Sequence, residues 1–425
     1  MTVIGTGYLG AVHAACMAEI GHDVLGVDVD TAKIEALASG RPPFYEPGLP
    51  ELLATSSSLR FTTSLEEAAA FGDVHFICVG TPQLRGSHAA DLSYIDAVVE
   101  GLRPYLREDA LVVGKSTVPV GTAARLAARL DPIPVAWNPE FLREGTAVQD
   151  TLQPDRIVVG ATSARAVELL REVYAPMLSA GVPFLETDLA TAELVKVAAN
   201  SFLATKISYI NAMAEVCEAT GADVVQLAGA IGLDERIGPR FLSAGLGFGG
   251  GCLPKDIRAF MARGEELGVG RSLAFLREVD EINMRRRAKA VDVARELAGG
   301  SFLGRRVAVL GAAFKPDSDD IRDSPALNVA AAIHLQGAHV TVHDEEAVEN
   351  ARAAFPQLDY ALEPAKACEG ADVVLHLTEW KRYRELDPAV LAPLTRTPRL
   401  LDGRNTLDHP RWRAAGWAVR ALGRP

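Results

Sequence analysis

The sequence predicts an α/β protein built from two doubly wound units and a long helix between them. Three observations support this fold class. Short apolar runs alternate with helical patterns over the first half, a stretch without Pro or Gly runs from about Asp188 to Ala219, and alternation returns at Arg305–Leu310. Such alternation is typical of a parallel sheet that is covered by helices.

In the first half, apolar runs bounded by turn residues predict strands, and helical patterns lie between them. The predicted strands are Thr2–Ile4, Asp23–Val27, Val74–Val79, Leu111–Gly114, Ile133–Ala136 and Arg156–Val159. The predicted helices are Leu9–Ile20, Thr31–Ser39, Tyr94–Leu102 and Ala123–Leu130. We therefore expect a parallel sheet in this half of the chain.

The stretch Asp188–Ala219 predicts one helix of roughly 45–50 Å, at 1.5 Å per residue. Its apolar surface exceeds what one small domain covers, so we expect it to contribute to a homodimer or higher homo-oligomer. Burial within its own chain is the alternative. After it, a second, smaller α/β unit is predicted from strands at Arg305–Leu310, Ala338–His343, Val373–Leu377 and Arg399–Leu401 and a helix near Ala326–Gln336.

Length and composition set the domain count and exclude several classes of protein. A chain of 425 residues is too long for one core, and we divide it into residues 1–187, 188–298 and 299–425. The formal charge of −12 argues against nucleic-acid binding, which needs a basic surface. No apolar run reaches membrane-spanning length, and no signal-peptide pattern is present. Five separated cysteines without CxxC spacing favour a reducing cytoplasm and indicate no metal site.

A nucleotide-binding fingerprint stands at the first predicted strand. Gly5-Thr6-Gly7-Tyr8-Leu9-Gly10 leads into a helix, and Asp28 ends the next strand about 20 residues later. Gly5 permits a tight turn, Gly7 lets a pyrophosphate approach the helix N-terminus, and Gly10 lets helix and strand pack closely. Asp28 would accept hydrogen bonds from the ribose hydroxyls and repel a 2′-phosphate. Lys33 would lie beside that ribose, with a solvated helix lysine as the alternative. The pattern predicts a Rossmann-like domain that binds NAD.

Two hydroxyl-bearing motifs follow neighbouring strands. Gly80-Thr81-Pro82 comes after Val74–Val79, and Ser116-Thr117-Val118-Pro119 comes after Leu111–Gly114. Open α/β sheets bind their ligands at the carboxyl ends of the strands, so Thr81 and Thr117 are candidate ligand contacts. Ordinary turns between strand and helix are the alternative.

One cysteine follows a glycine-rich segment, in Gly247-Phe248-Gly249-Gly250-Gly251-Cys252-Leu253-Pro254-Lys255-Asp256. Glycines let a backbone approach a ligand closely, and a thiol beside a cation is held nearer its nucleophilic thiolate form. Together with the NAD fingerprint, this predicts an oxidation that passes through a covalent thioester. A small, buried and inert cysteine is the alternative.

With these motifs, the chain resembles the UDP-glucose/GDP-mannose 6-dehydrogenase family over essentially its whole length. Further matching segments are Asn138-Pro139-Glu140-Phe141-Leu142-Arg143-Glu144-Gly145, Glu193-Leu194-Val195-Lys196 with Ala199-Asn200, Phe314-Lys315-Pro316, Asp320-Ile321-Arg322-Asp323-Ser324-Pro325 and Asp402-Gly403-Arg404-Asn405. The family oxidises C6 of a nucleotide sugar twice, from alcohol to carboxylate, with two NAD. The resemblance implies UDP-glucose as the substrate, with GDP-mannose, UDP-N-acetylglucosamine and UDP-N-acetylmannosamine as alternatives.

The resemblance also implies the catalytic residues, which are Cys252, Lys196, Asn200, Asp256, Glu140 and Thr117. Cys252 would attack the aldehyde from the first oxidation, giving a thiohemiacetal and, after the second hydride transfer, a thioester. Lys196 and Asn200, four residues apart on one helix face, would stabilise negative charge on the C6 oxygen. Glu140 or Asp256 would activate a water that Thr117 positions. Which carboxylate acts at which step stays open, as does a role for Asp256 in orienting Lys196.

Cofactor and substrate contacts are implied in the same way. The cofactor residues would be Gly5, Gly7, Tyr8, Leu9, Gly10, Asp28, Lys33, Thr81, Thr117, Glu144 and Arg322. The substrate residues would be Glu140, Phe141, Leu142, Arg143, Glu144, Lys196, Asn200, Arg236, Phe248, Gly249, Lys315 and Arg404, with Arg236 expected to reach a neighbouring subunit's site. The alternatives are solvated surface arginines and, for Lys196, an exposed ion pair with Glu193.

Two positions depart from the family pattern, and two other functions compete. Ser243 stands where several relatives carry Lys, and Gly251 stands where Ser is common, which leaves the sugar or nucleotide open. A hydroxyacid dehydrogenase that oxidises once would have no use for Cys252. A catalytically silent nucleotide-sugar sensor would not need Cys252, Lys196 and Asn200 together.

Overall fold

The computed structural model describes all 425 residues, Met1–Pro425. The chain divides into two compact units. The first comprises Met1–Ala199 and Arg258–Arg271, and the second comprises Asn200–Ile257 and Ser272–Pro425. The three-part division into residues 1–187, 188–298 and 299–425 stays a prediction. None of the helices combines the length and the apolar character that a bilayer span needs.

The first unit is built on one sheet with helices packed against it. Its strands are β1 (Thr2–Ile4), β2 (Val24–Val27), β3 (Leu59–Thr62), β4 (Val74–Ile77), β5 (Leu111–Gly114), β6 (Val135–Trp137), β7 (Ile157–Ala161) and β8 (Phe184–Thr187). Its helices are α1 (Tyr8–Glu19), α2 (Thr31–Ala38), α3 (Leu49–Thr55), α4 (Leu65–Phe71), α5 (Ser93–Leu102), α6 (Thr122–Leu130), α7 (Ala147–Leu152), α8 (Ala164–Val173) and α9 (Ala175–Ser179). The strand order is β3-β2-β1-β4-β5-β6-β7-β8, which begins with the doubly wound order of a dinucleotide-binding fold.

Alternate residues of the central strands enter different apolar clusters. Phe76 of β4 belongs to the cluster that contains Val12 of α1, whereas the next residue, Ile77, belongs to the cluster that contains Ile95 of α5. Because successive side chains of a strand point to opposite faces, the sheet carries a core on both sides. Its functional residues therefore lie at strand ends rather than on its faces.

The first sheet departs from the expected parallel arrangement at one strand. β7 pairs antiparallel with β6, with Ala136 opposite Ala161 and Trp137 opposite Gly160, and β8 then runs parallel to β7. The connecting segment 138–156 stays at the end of β6, where the Asn138 amide donates to the Val158 carbonyl at 2.8 Å. β7 therefore begins at the end of the sheet where β6 stops and runs in the opposite direction. An alternating sequence pattern does not specify the direction of a strand.

The predicted long helix is confirmed as α10 (Leu189–Thr220), which has 32 residues. Four helices follow it along the chain: α11 (Val224–Gly232), α12 (Leu253–Glu266), α13 (Gly270–Leu273) and α14 (Phe275–Leu297). The end of α10 packs Ala214 and Cys217 against Val224 and Leu242 in a small separate cluster.

The second sheet is parallel throughout. Its strands are β9 (Arg306–Leu310), β10 (His339–His343), β11 (Asp359–Tyr360), β12 (Val373–His376), β13 (Arg399–Asp402) and β14 (Ala418–Ala421), in the order β11-β10-β9-β12-β13-β14. Its helices are α15 (Pro325–His334), α16 (Val348–Ala354), α17 (Pro364–Cys368), α18 (Lys381–Glu385), α19 (Pro388–Leu391) and α20 (His409–Ala414). Short 3-10 turns lie at Arg103–Tyr105 in the first unit and at Ala392–Leu394 in the second. Two Rossmann-like sheets and a long helix confirm the predicted fold class.

Candidate active site

The first turn between strand and helix has the geometry that a dinucleotide needs. Gly5 has a φ of 93°, and its amide donates to the Val27 carbonyl at 2.7 Å. A Cβ added to Gly10 would lie 1.8 Å from the Gly5 carbonyl oxygen, whereas one added to Gly7 would meet nothing within 4 Å. No side chain caps the N-terminus of α1. Its first amides can therefore bind a phosphate that approaches over Gly7.

Asp28 forms a fixed anion beside this turn. Its Oδ2 accepts hydrogen bonds from the Thr6 amide at 2.9 Å and the Lys33 ammonium at 2.8 Å, and its Oδ1 accepts from the Asp30 amide at 3.1 Å. Burial raises the pKa of Asp28, but the hydrogen bonds, led by that from Lys33, outweigh burial and leave this pKa below its ordinary value. A carboxylate here suits ribose hydroxyls, so the residues at this turn fit NAD.

Thr81 and Thr117 meet at the ends of β4 and β5. The Thr81 hydroxyl donates to the Thr117 carbonyl at 2.7 Å, and the Ser116 hydroxyl donates to the Val79 carbonyl at 2.7 Å. These hydrogen bonds hold together the two motifs that the sequence placed separately at strand ends.

Glu140 and Lys196 form a buried ion pair in the first unit. Their Oε1 and Nζ atoms are 2.7 Å apart, and the side chains are 11% and 7% exposed. The other oxygen of Glu140 accepts the Leu142 amide at 2.7 Å, and Lys196 Nζ lies 5.8 Å from the centroid of the Phe141 ring. A carboxylate and an ammonium held this closely can exchange a proton with a bound hydroxyl.

Glu193 does not form the exposed surface pair with Lys196 that was the alternative for this lysine. Both side chains are buried. The Glu193 carboxylate accepts the Gly121 amide at 2.7 Å and the Ala123 amide at 2.6 Å. Glu193 therefore caps the start of α6. Nothing in the sequence indicated this role.

The segment after Glu140 is held by two further carboxylates. Arg143 donates through Nε and Nη2 to Asp150 at 2.9 and 2.6 Å. Glu46, only 2% exposed, accepts the Gly145 amide at 2.6 Å and also the Tyr8 hydroxyl. Glu46 thereby ties the nucleotide-binding turn to the segment that carries Glu144, which is itself buried. Sequence reasoning missed Glu46.

A buried lysine beside the candidate site was also missed. Lys115 Nζ donates to Asn138 Oδ1 at 2.8 Å and to the Tyr174 hydroxyl at 3.3 Å, and that hydroxyl donates to Asn138 Oδ1 at 2.6 Å. Burial lowers the pKa of Lys115 to about 8. Lys115, Asn138 and Glu140 line one cavity of about 80 Å³. The signal in the sequence was a lysine placed directly after an apolar strand.

In the second unit, Cys252 is the one exposed cysteine, and the other four are buried. The alternative that Cys252 is buried is therefore wrong, and its reactivity stays a prediction. Cys252 directly precedes the fourteen-residue helix α12, and the positive end of a helix stabilises a thiolate. Asp256 lies one turn further along and is 2% exposed. Its carboxylate accepts a hydrogen bond from the side-chain amide of Asn200 at 2.7 Å and pairs with the Lys255 ammonium at 2.8 Å.

The glycine-rich loop before Cys252 is tightly packed. A Cβ on Gly247 would lie 2.1 Å from Asn283 Oδ1, and one on Gly249 would lie 2.4 Å from the Asp323 carbonyl oxygen. Asn283 exchanges two hydrogen bonds with the backbone of Phe248, at 2.7 and 3.0 Å. The glycines therefore serve packing within the unit as well as any approach of a ligand.

The predicted substrate cations of the second unit have different surroundings. Arg404 donates to the carbonyls of Leu377, Gly247 and Phe314 at 2.7, 3.0 and 3.2 Å, so it braces the loop before Cys252. Arg236 is 87% exposed and pairs with Asp234 at 2.6 Å. Lys315 Nζ lies 5.6 Å from the centroid of the Phe314 ring. Their contacts with substrate stay predictions.

Arg322 lies directly beside the residue that precedes Cys252. A Cβ added to Gly251 would be 2.3 Å from Arg322 Cζ, and Arg322 Nη2 pairs with Asp320 at 2.7 Å. A side chain at position 251 would therefore displace this guanidinium. The departure from Ser to Gly noted in the sequence has a steric consequence here, and the predicted cofactor contact of Arg322 stays a prediction.

The turn after β9 in the second sheet resembles the Gly5–Gly10 turn, but its backbone amides are already hydrogen-bonded within the unit. Gly311 has a φ of 120°, and its amide donates to the His343 carbonyl at 2.7 Å. Asp344, at the position that corresponds to Asp28, is 3% exposed and accepts the amides of Ala312 and Ala313 at 2.6 and 3.0 Å. Its oxygens are occupied by these backbone amides and by the Trp380 indole N–H at 3.1 Å, so the dinucleotide fits the first unit.

No group of three or more His, Cys, Asp or Glu side chains is arranged to hold a metal ion. The candidate catalytic residues fall into two sets. Thr117, Glu140 and Lys196 belong to the first unit, and Asn200, Cys252 and Asp256 belong to the second.

Three models of the UDP-glucose/GDP-mannose dehydrogenase family match the chain in succession. Its NAD binding domain matches residues 1–178, its central domain matches residues 190–285, and its UDP binding domain matches residues 308–409. The first of these contains the Gly5–Gly10 turn and Asp28, and the cofactor of the chain is NAD.

Similar proteins and structures agree with this assignment. The UDP-glucose 6-dehydrogenase of Rhizobium meliloti (strain 1021) is 43% identical, over 100% of this chain and 99% of its own length. UDP-glucose 6-dehydrogenase TuaD of Bacillus subtilis (strain 168) is 39% identical, over 100% and 93%. A UDP-glucose dehydrogenase structure from the archaeon Pyrobaculum islandicum superposes with a TM-score of 0.91 at 40% identity, covering 100% of this chain and 97% of that one. A UDP-D-ManNAc dehydrogenase structure from Pyrococcus horikoshii has a TM-score of 0.86 at 27% identity, with 100% and 99% coverage.

The matches cover all but short connecting and terminal segments of the chain, and they coincide with the turn, the long helix and the second sheet described above. The chain belongs to the UDP-glucose/GDP-mannose dehydrogenase family and is an NAD-dependent nucleotide-sugar dehydrogenase.

Proposed function

We propose that the chain oxidises the C6 hydroxyl of UDP-glucose to the carboxylate of UDP-glucuronate, through a thiohemiacetal and a thioester on Cys252. The observation that carries the covalent route is the exposure of this one thiol at the start of α12. UDP-glucose is favoured because the relatives and the structure near 40% identity are named for it, whereas the UDP-D-ManNAc dehydrogenase is 27% identical.

In the first oxidation, C6 loses a hydride and the hydroxyl loses a proton. NAD, when bound, supplies the hydride acceptor. The Lys196 ammonium and the Asn200 amide would stabilise the C6 oxygen as the proton leaves. Glu140, 2.7 Å from Lys196, can receive that proton through the ion pair.

The second oxidation needs a nucleophile, because an aldehyde has no hydride to give until a group adds to its carbonyl carbon. The Cys252 thiolate would add to C6, and the oxygen would take a proton to form the thiohemiacetal. Loss of a second hydride from C6 and of the proton from its hydroxyl gives the thioester. Water then adds to C6 and the Cys252 thiolate leaves, with Glu140 or Asp256 as the base and Thr117 positioning the water. The balance is one alcohol, two NAD⁺ and one water giving one carboxylate, two NADH and three protons.

The test is a panel of nucleotide sugars, with NADH absorbance and product mass as readouts. We expect UDP-glucose to exceed GDP-mannose, UDP-N-acetylglucosamine and UDP-N-acetylmannosamine in kcat/KM by at least about tenfold, with two NADH per sugar. Cys252→Ala should abolish net acid formation, and Cys252→Ser should accumulate a covalent ester. Cys217→Ala, at a buried cysteine of the same unit, is the matched control and should keep two NADH per sugar.

Several results would overturn the proposal. Normal turnover of Cys252→Ala with two NADH per sugar would exclude the thioester. One NADH per product would favour a hydroxyacid dehydrogenase that oxidises once. No NADH from any sugar would favour a nucleotide-sugar sensor.

We also propose that the chain forms a homodimer or larger homo-oligomer through α10. Phe202, Tyr209 and Val216 are 66%, 52% and 52% exposed, and their spacing of seven places them on one face of the helix. Arg236, exposed on this chain, would reach a neighbouring subunit's site. All five cysteines are thiols, which supports a reducing cytoplasmic compartment.

A further inference from the structure

We propose that Glu193 is a positioning residue, which holds the loop that bears Thr117 at a fixed distance from the helix that bears Lys196. This inference rests on the proposed function, because it assigns Thr117 and Lys196 to the chemistry. All the residues involved belong to the first unit.

The start of α6 needs an acceptor from outside its own sequence. Its N-cap is Gly121, which has a φ of 97° and offers no side chain to cap the helix. Glu193 supplies two acceptors, because Oε2 accepts the Gly121 amide at 2.7 Å and Oε1 accepts the Ala123 amide at 2.6 Å. The two partners are 70 and 72 residues away in the chain, so the contact joins α10 to α6 rather than stabilising one local turn.

The charge of Glu193 suits this position. A carboxylate is favoured at the positive N-terminus of a helix, and both of its oxygens are acceptors, whereas a glutamine side chain would turn an NH₂ group towards one of the two amides. Glu193 is 2% exposed, so an amide that loses its carboxylate partner here carries the cost of an unpaired buried donor. A second contact braces the same loop, since Arg263 Nε donates to the Val120 carbonyl at 2.9 Å.

The contact of Glu193 with the start of α6, called here the Glu193 anchor, lies only a few residues from two candidate catalytic residues. Thr117 lies four residues before Gly121, and Lys196 lies three residues after Glu193, within one turn of α10. A shift of Gly121 relative to Glu193 therefore changes the position of the Thr117 loop relative to the Lys196–Glu140 pair. Misplacement of reacting groups by about 1 Å can cost on the order of 100-fold in rate.

The test compares Glu193→Gln with Glu193→Asp and with Ser64→Ala. Ser64 caps α4 by accepting the Glu67 amide at 3.1 Å, so its variant removes a helix cap in the same unit away from the candidate site. We expect Glu193→Gln to lower kcat about 10- to 100-fold, with KM for NAD and for UDP-glucose within about twofold of wild type. Glu193→Asp should be intermediate, and Ser64→Ala should keep kcat.

Amide hydrogen exchange gives a readout without turnover. Exchange at Gly121 and Ala123 should be faster in Glu193→Gln than in wild type, and unchanged in Ser64→Ala. A Glu193→Gln enzyme with wild-type kcat, or one whose KM rises while kcat stays constant, would overturn the inference. Absence of activity in the wild type on every nucleotide sugar would count against the proposed function instead. In that case, unchanged exchange at Gly121 and Ala123 in Glu193→Gln would by itself refute the positioning role of Glu193.

Discussion

At the scale of single residues, the acid at the end of β2 decides which dinucleotide fits. Asp28 is bonded to the Thr6 amide and to Lys33, so its carboxylate is fixed in place before any ribose arrives. A 2′-phosphate would meet this anion, although it would also meet the Lys33 ammonium. The preference for NAD over NADP therefore requires that Asp28 repel a 2′-phosphate more strongly than Lys33 attracts it.

Replacing Asp28 by Ser should reverse part of this preference. We expect kcat/KM for NAD to fall about 10- to 100-fold, as for the loss of a hydrogen bond to a charged group, and kcat/KM for NADP to rise because Lys33 loses its carboxylate. The measurement is kcat/KM with each cofactor. Asp30→Ser is the control, since Asp30 caps α2 nearby through the Lys33 amide. An unchanged ratio of the two cofactors in Asp28→Ser would contradict this account.

Some site residues could be predicted from the sequence and others could not. Asp28 and Cys252 stand at fixed distances from glycine motifs, so local pattern identifies them. Glu46, Glu193 and Asp344 each bind backbone amides far along the chain. Any acidic residue can accept an amide hydrogen bond, so nothing in their own neighbourhood distinguishes them from solvated carboxylates.

At the scale of elements, the central strands were predicted to within a few residues and the edge strands were missed. β1, β4 and β5 are buried on every residue, so they appear in sequence as continuous apolar runs. β3 and β8, at the two edges of the first sheet, have no buried residue, and β14 is buried only at alternate residues. Half-exposed strands carry mixed sequences that resemble loops, and the direction of β7 depends on a connection rather than on a pattern.

The ends of β5 and β6 share the buried Lys115, whose pKa lies at about 8 rather than at the ordinary 10.5. Between these values the unfolded chain binds a proton that the folded chain does not, so this lysine makes stability rise with pH across the window from 8 to 10.5. Below pH 8 both states hold the proton and the full penalty of burial remains. We expect the free energy of unfolding of wild type relative to Lys115→Met to increase by on the order of 2 kcal/mol from pH 7 to pH 10.

Denaturant unfolding of both proteins at the two pH values measures this difference. Lys381→Met is the matched control, because the Lys381 side chain is 89% exposed and its removal should give the same difference at both pH values. A constant difference for Lys115→Met would show that Lys115 titrates normally in the folded chain.

At the scale of the whole molecule, one strand order occurs twice with different consequences. The order β3-β2-β1-β4-β5-β6 of the first sheet recurs as β11-β10-β9-β12-β13-β14 in the second. The first sheet leads straight from Gly5–Gly10 into α1, whereas α15 begins at Pro325, well after Gly311. The Asp344 carboxylate then bonds the intervening amides. The strand order alone therefore does not show which sheet binds the dinucleotide. The difference between the first turns of the two sheets shows it.

The exposed face of α10 is the feature that a single chain leaves unexplained. Burying side chains the size of Phe202 and Tyr209 is worth roughly 1.5–3 kcal/mol each, so their exposure favours association. We expect light scattering to give a mass of at least two copies of the 45.2 kDa chain, and the double variant Phe202→Glu, Tyr209→Glu to shift it towards one copy, because two like charges would be buried without partners. Leu335→Glu, at a residue that is 84% exposed outside α10, should leave the mass unchanged. A monomeric wild type, or a double variant that keeps the wild-type mass, would show that α10 does not form the interface.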